Sequence, residues 1–151
     1  MGNRPYDARY EPRPGEQSQE DKLRYQHFLD ALRDGGLGST QRAERAAVTV
    51  LGALEQRIPA PEARDLNQEL PWPLRDQLRP FERHPRSRPE VFGREELLLR
   101  VGEALELDLV ESERVTRLVM QTARSLLSEK EASDVAGQLP RDMQDLWAPL
   151  A

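Results

Sequence analysis

The stretch EARDLNQELP, Glu62 to Pro71, returns further along the chain as EASDVAGQLP, Glu131 to Pro140. Each copy opens on Glu-Ala, holds an Asp at its fourth position (Asp65, Asp134), follows it with an aliphatic residue and closes on Leu-Pro. Its apolar positions, Ala63, Leu66 and Leu70 in the first copy and Ala132, Val135 and Leu139 in the second, recur every three or four residues. That is the period of one face of a helix, not of a strand. Pro71 and Pro140 then end the segment, because proline lacks the N–H a helix needs and crowds the preceding turn.

The two copies stand 69 residues apart (134 − 65), and the same offset carries through their surroundings. It relates Glu44 to Glu113, Arg45 to Arg114, Val50 to Val119 and Asp76 to Asp145, with apolar pairs at Phe28/Leu97, Leu29/Leu98, Leu32/Val101 and Leu74/Met143. A fixed offset over so many positions is the mark of a tandem repeat. Each unit reads as four helices. In the first, Tyr25, Phe28, Leu29 and Leu32 make a face that ends at DGGLGS, where Gly35 and Gly36 are expected to supply the left-handed turn. A second helix from about Thr40, capped by Ser39 or Thr40, carries Ala43, Ala46, Ala47, Val50, Leu54 and Ile58. Pro59 and Pro61 start the third, and a short fourth runs from about Pro73 with Leu74 and Leu78. The second unit repeats the order: Phe92, Leu97, Leu98, Val101 and Leu105; then Asp108 as a cap before Val115, Val119, Thr122 and Leu126; then SEKE, Ser128 to Glu131, as a capping box for the third helix; then Met143, Leu146, Trp147 and Leu150.

The fold expected is therefore all-α: two tandem four-helix repeats, at 21–81 and 91–151, packed into one bundle-like domain without a sheet. An Arg/Pro-rich linker, 82–90, joins them. Residues 1–20, rich in proline and mixed charge and without an apolar face, read as a disordered tail.

Composition narrows the function classes. The chain of 151 residues has no cysteine, so thiolate chemistry and zinc-thiolate sites are excluded. A net charge of −5 argues against broad attraction to nucleic acid or anionic membrane. No run nears the roughly 20 apolar residues of a membrane span, and a cytoplasmic location is expected. The Met-Gly start has Tyr6 where a myristoylation motif wants Ser or Thr.

On its residues AERAAVTVLGALEQRI followed by EARDLNQELPWPLRDQL, and ESERVTRLVMQTARSLL followed by EASDVAGQLPRDMQDLW, the chain resembles the bacterial family called domain of unknown function 2267, over about residues 22–150. The resemblance implies a small, internally duplicated, all-helical bacterial protein. It implies no reaction, cofactor or catalytic residue. The turn between the first two helices of the second unit departs from the first, with ALELDLVE in place of DGGLGSTQ.

Candidate sites follow from the duplicated acids. Asp65 and Asp134 are expected to form structural ion pairs with Arg45 and Arg114, since the offset preserves both members of each pair. The alternative is that Asp65, Asp134, Glu44 and Glu113 converge at the seam between the repeats and hold a metal or small ligand. His27 and His84 build no metal motif, no nucleophile elbow or phosphate loop is present, and an enzyme is not expected; no cofactor is implied. The linker arginines Arg79, Arg83, Arg86, Arg88 and Arg94 read as solvated chain, with nucleic-acid association as the weakest alternative. Trp147 is expected in the core and Trp72 partly exposed, a possible anchor for a partner. The function expected is a non-enzymatic scaffold or interaction module whose protein partner the sequence does not identify.

Overall fold

The computed structural model describes residues 17–149. Eight α-helices and no strand occur among them: α1 Gln17–Leu32, α2 Thr40–Arg57, α3 Ala60–Glu69, α4 Trp72–Leu78, α5 Arg94–Leu105, α6 Leu109–Arg124, α7 Glu129–Gln138 and α8 Gln144–Trp147. α3 and α7 have bounds 69 positions apart at both ends (129 − 60 and 138 − 69).

Most of the expected tail, and Leu150, lie outside the described residues. Residues 17–20, however, belong to α1, which corrects the boundary. The start of α1 is held by Asp21, whose carboxylate accepts from Arg24 at 3.1 Å and from the backbone N–H of Trp72 at 3.0 Å.

The expected N-caps are made, but not the reciprocal bond of a capping box at Asp108 or Ser128: the Glu111 carboxylate goes to Arg114, and Glu69 accepts from the Ser128 N–H. Ser39 accepts from the N–H of Arg42, Asp108 from Glu111 and Ser128 from Glu131. The glycine turn differs from expectation: α1 runs into a π-helical turn, Arg33–Leu37, and the left-handed residues are Gly36 (φ 128°) and Gly38 (φ 85°). Gly35 serves space instead, since a Cβ there would lie 2.8 Å from the Leu118 side chain.

α2 is the central helix and packs against α1, α3, α4, α5 and α6. Its alanines at 43, 46, 47 and 53 let neighbours approach closely, and Val50, Leu51 and Leu54 fill the space between. α1 also packs on α6, and α3 on α7, so residues of both halves form one continuous core.

The linker is exposed at Glu82, His84, Pro85, Arg86, Arg88 and Glu90, as expected of solvated chain, but it is tied to the end of α2 at two points. The last carbonyls of a helix lack partners within it, and Arg83 supplies donors to the Gln56 and Ile58 carbonyls. The Glu90 N–H adds a second bond to the Gln56 carbonyl at 2.9 Å, and Arg57 donates to the Phe92 carbonyl at 2.7 Å. Phe92 precedes α5 rather than sitting in it; it is buried, with the Arg100 guanidinium 4.1 Å from its ring centroid.

Candidate functional site at the acidic seam

The twice-written segment forms α3 and α7, and these two helices lie against one another. Their apolar residues Ala63, Leu66, Ala132 and Val135 turn into the core. That rotation leaves Glu62, Asp65 and Glu69 on the neighbouring stripe of α3, spaced i, i+3, i+7, along the line of contact with α7.

Glu69 determines how α7 begins. In a capping box the Glu three residues after the cap reaches back to the cap's N–H. Here Glu69 takes that place from the other helix: it accepts from the Ser128 N–H at 2.7 Å and from the Ser128 hydroxyl at 3.0 Å. The carboxyl of Glu131 is thereby released from its own helix end and turns into the seam. Arg24 of α1 closes the same corner, donating to the carbonyls of Glu69 and Leu126.

In the seam, Glu62, Asp65 and Glu131 each present a carboxylate oxygen, and these oxygens all lie within 4.8 Å of one another. Glu131 is only 6% exposed, while Glu62 is half-buried and Asp65 exposed. One oxygen of Glu131 and one of Glu62 are buried without a hydrogen-bond partner. A buried polar atom left unpaired costs on the order of 1–3 kcal/mol. Burial above all, then a carboxyl–carboxylate hydrogen bond with Glu62 and the charges of Glu62, Asp65 and Glu69, push the Glu131 carboxyl up to about 8, so in its protonated form Glu131 shares its proton with Glu62. Three oxygen donors converging in a partly buried niche form a set suited to a hard cation, and histidine and cysteine take no part in it.

The residues expected from the sequence are distributed differently. Arg45 donates to the Ala104 carbonyl at 3.0 Å and makes no ion pair with Asp65. Arg114 pairs with Glu111 at 3.0 Å and donates to the Gly35 carbonyl, while Asp134 pairs with Lys130 of its own helix at 2.9 Å. Neither expected Arg–Asp pair forms: Arg114 and Asp134 each pair with a neighbour one turn away on their own helix, Arg45 turns to a distant carbonyl, and Asp65 has no basic ion-pair partner among the described residues. Of the four acids expected at the seam, only Asp65 is there. Glu44 accepts from the Tyr25 hydroxyl at 2.7 Å, and Glu113 is tied to Arg94 at 2.9 Å and Arg117 at 3.1 Å, which hold its carboxyl below the usual range. The linker arginines are likewise dispersed: Arg79 pairs with Asp76, Arg94 with Glu113 and Asp145, and Arg83 caps α2. Both histidines are exposed, and His84 accepts from the N–H of Arg86. Trp147 is buried and donates to the Ala132 carbonyl at 2.9 Å; Trp72 is 37% exposed.

Glu62 and Glu131 were within reach of the sequence. They occupy the first position of the two copies and are related by the same offset as Asp65 and Asp134. The equivalence of the acids at first position, read together with the i, i+3, i+7 stripe of α3, was the available signal.

An all-helical protein with an acidic seam between two similarly written helices is the class that fold and site define. The chain belongs to the family described as "Uncharacterized conserved protein (DUF2267)", which matches residues 25–148. Comparison with curated proteins gives no match.

Proposed function

We propose that this protein is a non-enzymatic binding protein whose ligand is a divalent cation held by oxygen donors between α3 and α7. The observation that carries the reading is the convergence of Glu62, Asp65 and Glu131, with Glu131 nine-tenths buried and one of its oxygens unpartnered. A cation there displaces the proton that Glu131 holds at neutral pH, supplies a partner to the buried oxygens and cancels the repulsion of the three acids once all are ionised. It also ties one half of the chain to the other, so occupancy is read out as stability.

Calorimetric titration of metal-free protein with calcium, and in parallel with manganese and magnesium, tests this directly. One saturable site per chain is expected for at least one of the three, with a rise in melting temperature. At a hundredfold excess over Kd the stabilisation is about 2.7 kcal/mol, or roughly 5–10 °C for a chain of this length. No saturable heat and no thermal shift with any of the three ions overturns the proposal.

A second reading, the docking of a protein partner, has its own support. A shallow groove along α6 is lined by Gly35, Val110, Arg114, Arg117 and Leu118, and Val110 is 78% exposed at its edge. In this reading Trp72, exposed at the start of α4, is a further anchor. No helix among the described residues is long and apolar enough to cross a membrane, and we propose a cytoplasmic location for either function.

A further inference from the structure

A second cavity, of about 300 Å³, opens on the opposite side of α3 from the acidic seam, between α3, the end of α2, α4 and the linker. Its floor holds Glu55 of α2, 1% exposed in a stretch otherwise made of core residues. One Glu55 oxygen accepts from the Asn67 side-chain amide at 3.2 Å; the other Glu55 oxygen and the Asn67 carbonyl oxygen are both buried without a donor. The side wall is Ala60, Ala63 and the ring of Phe81, and the rim carries Arg64, Arg75, Arg83 and Glu82. Phe81 is fixed there by Gly52, where a Cβ would come within 2.6 Å of the ring.

The cavity thus has two buried acceptors in need of N–H donors at its floor and net positive charge at its mouth. Arg83 is engaged by the Gln56 and Ile58 carbonyls and Arg75 lies 3.9 Å from Asp21, which leaves Arg64 to meet a ligand. A plain cation would meet the rim arginines, and a plain anion would meet Glu55. A molecule carrying an ammonium group at one end and a carboxylate at the other matches both ends at once. We infer that this cavity binds a small zwitterion, its ammonium donating to Glu55 and Asn67 and its carboxylate facing Arg64, the rim guanidinium that neither caps α2 as Arg83 does nor pairs with Asp21 as Arg75 does. The inference is independent of the cation site, since none of the three seam acids lines this cavity.

Burial above all holds the Glu55 carboxyl up at about 7, against the lowering effect of the Asn67 hydrogen bond; Glu82 raises it further and Arg83 lowers it. An ammonium ligand takes the ionised form, so its binding displaces a proton near neutral pH.

The experiment uses the full chain and four-carbon probes. 4-Aminobutyrate is titrated by calorimetry or by chemical-shift perturbation, with butylamine and butyrate as the two half-molecules. Saturable binding of 4-aminobutyrate is expected, at least tenfold tighter than either half-molecule, with affinity falling about tenfold between pH 8 and pH 6. Glu55→Gln is expected to lose at least tenfold in affinity together with the pH dependence. Arg64→Gln, a change at the surface, is expected to weaken 4-aminobutyrate but not butylamine. Absence of saturable binding by the wild-type chain overturns the inference, as the acid and amide of Glu55 and Asn67 would then satisfy each other. Equal binding of the half-molecules, or unchanged affinity in both variants, overturns it as well.

Discussion

Trp147→Ala is expected to lower the melting temperature by roughly 10–20 °C, the largest effect of any single change proposed for this protein. Trp147 is 1% exposed and ends α8 against α7, with Met143 and Leu146 buried beside it in sequence. Truncating a buried aromatic side chain costs about 3–5 kcal/mol through lost burial and the cavity left behind. A further 1 kcal/mol or more follows here, because the Ala132 carbonyl loses the indole N–H it accepts from at 2.9 Å. Set against a total stability of about 5–15 kcal/mol for a typical domain, this is a large share. Chemical denaturation followed by circular dichroism measures it, and a loss below about 2 kcal/mol contradicts the assignment of Trp147 to the core. Trp72→Ala is the internal control: its side chain is partly exposed, and its N–H bond to Asp21 uses the backbone and survives the substitution.

The second large effect is a fall in stability as pH rises. Glu55 is buried and its carboxyl lies at about 7, above the ordinary 4.5. Between those two values the folded state holds a proton that the unfolded chain has lost, so protonation favours folding there. The contribution is therefore complete below about pH 4.5 and is lost as pH climbs through 7. Its full size is on the order of 3 kcal/mol, since each tenfold gain in proton affinity on folding corresponds to about 1.4 kcal/mol. Between pH 5 and pH 8 the Glu55 share of the unfolding free energy of the ligand-free chain, read as the difference between wild type and Glu55→Gln, should change by roughly 2–3 kcal/mol in favour of the acidic condition. Glu55→Gln, neutral at every pH, should match wild type at pH 5 and exceed it at pH 8. The raised Glu131 carboxyl acts in the same sense, so the variant isolates the share of Glu55. A difference between wild type and Glu55→Gln that stays constant from pH 5 to pH 8 contradicts this account.

What was legible in the sequence is what depends on local pattern. The apolar spacing of α3 and α7, the prolines that follow them and the hydroxyl and carboxylate caps at Ser39, Asp108 and Ser128 act within a turn or two of chain, and the structure has each where the pattern puts it. The constant offset likewise aligned α3 with α7. What was not legible depends on which way a helix is rotated against its neighbour. Asp65 and Asp134 occupy equivalent positions in the two copies, yet Asp65 joins the acidic seam while Asp134 pairs with Lys130, a residue whose counterpart in the first copy is Pro61. Asp134 has a lysine one turn before it on its own helix, and Asp65 has a proline there.

The long reaches were hidden for a similar reason. Arg83 is 25 positions from Ile58, and the Glu69 carboxylate 59 from Ser128; no spacing rule spans such intervals. Glu55 left a fainter trace. It falls on the apolar stripe of α2, four residues after Leu51 and three before Ile58, where a charged side chain has no place unless a partner or a proton accompanies it. The residue 69 positions further on is Arg124, so the constant offset gave it no emphasis.

The central claim, that the seam between α3 and α7 takes a divalent cation, is tested most directly by melting the metal-free wild-type protein and Glu131→Gln with and without saturating calcium, manganese or magnesium. Without the ion, the variant should melt no lower than wild type, because the amide removes a buried acid from a cluster of acids. With at least one of the three ions, wild type should gain several degrees and overtake a variant that gains none. Equal shifts in the two proteins, or no shift in either, would contradict the account.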